Sequence, residues 1–128
     1  MRNRALFAVL VVLALLIGGF SLFVGWNKAF APHEVLVEHL AWTIHLPATV
    51  GRIVGWLEML AATVLIASLA VPRFARAGMW AAVWITANHV AAAVVHVSHG
   101  ETSTYAQSVV VIALCLMMVR LARQRVRP

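Results

Sequence analysis

The sequence predicts an all-α protein, a transmembrane four-helix bundle with both termini on the cytoplasmic side (N-in/C-in) and a short outer-side loop helix between helices 1 and 2. Three observations predict it. Four long apolar stretches, separated by short polar joints, make up nearly all of the 128 residues. The chain is 63% hydrophobic and only 11% charged, against an ordinary charged share of about 25%, which is more apolar surface than a soluble domain of this length could hide. The stretches also lack the alternation of a barrel strand, and helices are then the way to satisfy every backbone polar group inside hydrocarbon.

The elements follow in order within a single domain, 1–128. The first span covers 5–25. Arg2, Arg4, the apolar run and Ala29-Phe30-Ala31 look superficially like a signal peptide. That run is about 20 residues long and Pro32 would follow the cut, so the segment is expected to stay as a membrane helix. An outer loop, 26–49, comes next. Pro32 suits a first helical turn, Glu34 suits the positive helix start, and Pro47 marks the end before the second span. An extended stretch across Val35 to Ile44 is the alternative there. Spans two, three and four cover 50–71, 78–96 and 105–121. Each is about 17 to 22 residues, enough at about 1.5 Å per residue to cross a hydrocarbon core about 30 Å thick.

Charge orients the bundle. Of the ten basic residues, Arg2, Arg4, Arg73, Arg76, Arg120, Arg123, Arg125 and Arg127 fall on the N-terminal side, leaving only Lys28 and Arg52 opposite. This positive-inside bias predicts a multi-pass membrane protein with both ends inside; the expected location is a cell membrane, the bacterial cytoplasmic (inner) one. The net charge of +6 is therefore mostly topological. The Arg120 to Arg127 tail could touch anionic lipid, and no soluble domain is present to support a nucleic-acid partner. Cys115, the one cysteine, reads as a small buried apolar residue.

Small residues mark the packing faces. Ala14, Gly18, Ser21 and Gly25 form one stripe on helix 1. Gly51, Gly55, Glu58 and Ala62 share a face of helix 2, and Ala82, Ile85, Thr86, His89, Ala92, Ala93 and His96 a face of helix 3. Small residues let membrane helices approach closely, so the polar side chains on these faces are expected to point inward. Glu58 and His89 lie at matching depths of about 10 to 14 Å below the outer helix ends. The spacing therefore predicts a Glu58–His89 hydrogen bond or ion pair, with Asn88 assisting. An ionisable residue in hydrocarbon is costly and marks a function by default, although such a pair could equally be a structural tie between helices.

All six histidines lie in the outer half, which predicts an outward-facing polar funnel leading to Glu58 and His89. Lys28, Arg52, His33 and His99 stand at its mouth. His96 and His99, with Glu101 or His33, are weak candidates for a zinc or copper site. The two intramembrane histidines share one face of one helix, so a bis-histidine haem is disfavoured. Trp26, Trp42 and Trp56 fit an outer aromatic belt.

Three motifs carry a resemblance. Gly25-Trp26-Asn27-Lys28-Ala29-Phe30 closes helix 1, Gly51-x-x-x-Gly55-x-x-Glu58 stands in helix 2, and Ala91 to Glu101, with His96 and Gly100-Glu101, ends helix 3. Their kind and order resemble the DoxX-like family of small four-helix integral membrane proteins. The resemblance implies a link to membrane redox systems, such as a subunit of thiosulfate:quinone oxidoreductase or partners of oxidative-stress enzymes. Lys28, Glu58 and His96 match its polar pattern, whereas His89, His33, His39 and His45 do not.

The leading reading is thus a membrane subunit or accessory of a redox system, non-catalytic or accessory rather than a stand-alone enzyme, with a quinone as the candidate cofactor. Its expected partners are the lipid bilayer and either other membrane subunits or further copies of itself. A non-catalytic structural subunit of a larger assembly is the first alternative. Small-molecule or proton transport is the second, weakened by the lack of an inverted repeat or a midplane-broken helix.

Overall fold

The structure is a computed structural model that describes residues 3–128; Arg2, counted above in the charge bias, lies outside the described residues. The chain forms α1 (Arg4–Phe30), a short α2 (His33–Glu38), α3 (Ala48–Ala70), α4 (Ala75–Ser98) and α5 (Tyr105–Val126), with one 3₁₀ turn in each connection after α2. No strand occurs among the described residues. Four of the helices, α1, α3, α4 and α5, are long and apolar enough to cross a membrane. They close a ring: α1 packs on α3, α3 on α4, α4 on α5, and α5 back on α1.

Helix 1 runs five residues past its expected end at Gly25, and the reason is local. Gly25 keeps a helical backbone, since the positive-φ residues are only Leu40 and Gly100 among those described. The stop is Pro32, which forces Ala31 into the extended region (φ −67°, ψ 148°). At the other end Asn3 caps the helix, its side-chain oxygen accepting from the amides of Ala5 and Leu6 at 2.9 and 3.3 Å.

The connection between α1 and α3 is not extended. Helix α2 spans less than two turns and ends where Leu40 adopts φ 51°. The Ala41 amide then donates back to the Leu36 carbonyl at 2.9 Å and the Leu40 amide to Val37 at 3.1 Å, a Schellman ending. A left-handed leucine costs about 1–2 kcal/mol relative to a right-handed one.

The interior divides along the bundle axis. Toward the N-terminal end it is apolar: Leu10, Leu13 and Ile17 of α1 meet Leu65 of α3, Ile85 of α4 and Met118 of α5. Arg125 closes this end, donating to the carbonyls of Ser68 and Leu69 at the close of α3, at 2.7 and 3.4 Å, while lying 5.2 Å from the Phe7 ring centroid. Toward the opposite end the buried residues turn polar, with Ser21, Lys28, Glu58, Asn88 and His96 all inside. The side chains left bare, such as Leu16, Phe23, Leu60, Trp80 and Val109, form the outer surface expected of helices in lipid.

Lipid tails are as apolar as leucine, so packing shape rather than hydrophobic expulsion holds the helices together. The closest backbone-to-backbone fit at a glycine is between α1 and α3. A Cβ built on Gly55 would stand 2.6 Å from the Ala29 amide nitrogen and 2.7 Å from the Gly25 carbonyl oxygen; one on Gly25 would stand 2.9 Å from the Gly55 oxygen. Backbone meets backbone, so neither neighbour can give way. Gly19, by contrast, faces open space. Gly55→Ala is therefore expected to lower stability by about 1–3 kcal/mol, read as thermal unfolding in mild detergent, while Gly19→Ala leaves it unchanged or slightly raised. Equal tolerance at both positions would refute the close approach.

Candidate functional site

The extension of α1 decides where the site's charge lies. Lys28 follows Gly25 by three residues and so continues the Ala14–Gly18–Ser21–Gly25 stripe onto the buried face. It is only 6% exposed, not an open mouth residue as its sequence position suggested. Glu58 follows Gly55 by three residues on α3 and is fully buried. The glycine contact thus brings the next turn of each helix together, and Lys28 Nζ donates to Glu58 Oε2 at 2.6 Å. Trp42 flanks the ammonium, its ring centroid 5.8 Å away. Arg52 does not stand free at a mouth: its guanidinium donates to the Lys28 carbonyl at 2.9 Å, satisfying an orphan acceptor at the C-terminal end of α1.

The expected Glu58–His89 pair does not form. Glu58 takes a lysine instead, which carries the full positive charge needed to offset a buried carboxylate. His89 Nε2 is buried with no partner among the described residues. Its ring stacks on Phe20 of α1 with centroids 5.9 Å apart. Asn88 approaches the Glu58 carboxylate from α4, yet its Nδ2 and Glu58 Oε1 make no hydrogen bond of good geometry.

Beside the pair lies a cavity of about 190 Å³, whose lining includes Phe20, Lys28, Trp42, His89, His96 and Gln107. Leu40, the left-handed residue, also lines it. The volume exceeds the roughly 150 Å³ that accepts a benzene ring in an apolar core. Lys28 joins cavity to carboxylate: it lines the one and holds the other, while Glu58 lies behind it.

A second cluster gathers where two connections meet. Gly100, at φ 66°, ends α4 in a Schellman turn, with the Glu101 amide donating to His96 O at 3.0 Å and the Gly100 amide to Val97 O at 3.1 Å. That turn folds Glu101 back over His96, leaving Glu101 Oε2 3.5 Å from His96 Nδ1. From the α1–α3 connection His45 arrives and bonds Glu101 Oε1 through Nε2 at 2.8 Å. His45 stacks on His99 with ring centroids 3.6 Å apart. Burial alone would raise the Glu101 pKa, but His45 and His96 together hold its carboxyl below the usual value.

The structure therefore splits the residues singled out from the sequence. Lys28, Glu58, Asn88 and Arg52 belong to the α1–α3 contact. His89 and His96 line the cavity. His99 joins Glu101 and His45, the last of which the sequence reading had put only in the loop. His33 stays exposed at the start of α2, away from His99 and Glu101. Phe20, the aromatic partner of His89, was not singled out; its lack of a small-residue or charge signal hid it.

Removing Lys28 strands a buried carboxylate. Lys28→Met is expected to cost about 3–5 kcal/mol, whereas Lys28→Met/Glu58→Leu recovers most of that loss because no uncompensated charge remains. His99→Ala, at an exposed position, should cost under about 1 kcal/mol. Thermal melts of the four proteins in one detergent check the series, and a double variant no more stable than Lys28→Met would exclude the pair.

The model of the DoxX-like family matches residues 7–118, spanning all four long helices. No curated protein and no solved structure matches the chain.

Proposed function

The chain belongs to the DoxX-like family, and from that premise we propose that it serves as a small membrane subunit or accessory of a redox system, receiving the ring of a quinone-class amphiphile in the cavity beside Lys28 and His89. The positive-inside bias supports an outer-side position for the cavity, as a funnel toward Glu58.

The observation that carries this reading is the cavity's lining. Phe20 and Trp42 supply aromatic walls, and Lys28, His89 and His96 supply polar groups among them. Membrane-embedded quinones need that combination, an apolar slot for the ring and a donor for each carbonyl oxygen. His89 has a ring nitrogen with no partner among the described residues, so a carbonyl acceptor would satisfy it. Lys28 can donate to a second acceptor while Glu58 keeps its charge offset, and Glu58 is the proton acceptor or donor behind it. Reduction or oxidation of the ring adds or removes two electrons and two protons. Here the electrons belong to a partner enzyme, and the chain's part is to bind, orient and move protons at the Lys28–Glu58 pair. The strained Leu40 supports the reading, since a left-handed leucine on a ligand-facing wall is the kind of local cost that collects at binding sites.

A structural-subunit reading has its own observation. Trp26, Phe30 and Trp56 form a contiguous aromatic group, with centroids 4.4 and 5.1 Å apart, and all three are exposed on the α1–α3 face. That face suits docking against another helix as well as a lipid interface.

The two separate on binding. A water-soluble short-chain quinone should bind the protein in nanodiscs and quench its tryptophan fluorescence. His89→Ala should weaken that binding by about tenfold, as the loss of one hydrogen bond of about 1.4 kcal/mol implies. Glu58→Gln keeps the shape and an acceptor for Lys28 but leaves the buried ammonium without its countercharge, so it should fold at lower stability, still bind, and lose any partner-dependent quinone turnover. No saturable quenching in the wild type, or wild-type affinity in both His89→Ala and Phe20→Ala, would leave the structural reading standing instead.

A further inference from the structure

We infer that His45, His99 and Glu101 form a binding site for a borderline divalent metal of the zinc class, built where the α1–α3 and α4–α5 connections meet. One ligand atom from each residue lies within 4.8 Å of the others. Tetrahedral zinc with Zn–N bonds of about 2.0–2.1 Å needs ligand separations of about 3.4 Å, so modest side-chain rotation closes the set. Two imidazoles and a carboxylate are a donor set that zinc takes with a fourth position open.

The histidines are prepared for the role. His99 Nδ1 lies 2.8 Å from the Val95 carbonyl oxygen, which can only accept. Nδ1 therefore donates there, which leaves Nε2 as the nitrogen that can ligate a metal. A bond of this kind, to a backbone carbonyl, is a usual way for a metal-binding histidine to be held in one orientation. Ser98 Oγ, 3.1 Å from the same nitrogen, adds to it. His45 presents Nε2 directly at Glu101 Oε1, and the metal would replace the proton now shared there, releasing it to solvent.

A separate observation points at the same place. His96 is more than nine-tenths buried, and its Nδ1 has no hydrogen-bond partner among the described residues although Glu101 Oε2 stands 3.5 Å away. Glu101 Oε2 is likewise unpartnered. A cluster meant only to share protons would close that gap. His96 is instead positioned to hold the second carboxylate oxygen, or to move in as the fourth ligand. The bound ion would fasten the loop that carries Trp42 and His45 to the end of α4, and so fix one wall of the cavity. This site does not depend on what the cavity binds.

The test uses full-length protein in nanodiscs with its purification tag removed, titrated with Zn²⁺ by calorimetry and with Co²⁺ by its visible ligand-field bands. The wild type should take up one ion per chain. His45→Ala, His99→Ala and Glu101→Gln should each weaken Zn²⁺ binding by at least about tenfold, and His96→Asn by a smaller factor. His33→Ala and His39→Ala, exposed and outside the cluster, should bind as the wild type does. Zn²⁺ should also raise the melting temperature of the wild type but not of Glu101→Gln, the conservative variant whose fold circular dichroism verifies. No saturable uptake in the wild type, undiminished binding in His45→Ala and His99→Ala, or loss in His33→Ala would each overturn the assignment.

Discussion

The Lys28–Glu58 pair is the constraint around which the outer half of the bundle is arranged. A carboxylate with no exposure inside a membrane helix stays charged only if a cation reaches it and other groups share the cost of removing both from water. Here the cation comes from the neighbouring helix, one turn past the point where two glycine backbones touch. Its carbonyl is held in turn by Arg52, so one residue is fixed at both its backbone and its tip. The α1–α3 interface is therefore close because of its glycines and specific because of its charges. Neither part suffices alone, since the glycines would permit several registers and the charges could not approach without them.

Much of this was legible in the sequence. Hydropathy marked four spans, and the structure has four helices of the required length and composition. The small-residue stripes marked the inward faces, and Gly18, Gly25, Gly55, Ala62 and Ala82 are all buried. Ending helix 1 at Gly25 misplaces Lys28, because the same i, i+3, i+4 period carries the stripe one step further to it. Pro32, already recognised as a boundary, was the better stop signal. Matching helix depth paired Glu58 with His89 on α4, whereas its partner is Lys28 on α1. Depth leaves rotation free, and the choice rests on which side chain brings a full charge.

The second cluster was only half legible. Gly100 directly before Glu101 is the sequence signal of a Schellman ending, and that turn is what returns the carboxylate to His96. The arrival of His45 depends on how a connection of seventeen residues, 31–47, folds between α1 and α3, and no local period encodes it. Leu40 illustrates the difficulty. A left-handed residue is ordinarily announced by glycine or asparagine, and here the position is filled by a side chain that contributes to a cavity wall. Tertiary packing, not local preference, holds that turn.

The division of the interior has a consequence for how the molecule comes apart. At the basic end an apolar core meets on all four helices and Arg125 ties α5 to α3, whereas the opposite end relies on a few directional polar contacts and a short loop. Loosening should therefore begin at the polar end and stop at the apolar one, as a zip opened from a single side. Amide hydrogens around Ala41 and Gly100 would then exchange long before those near Leu65 and Ile85, and the opened form would keep its four spans while its cavity disappears. For this chain, losing the site and losing the fold are separate events.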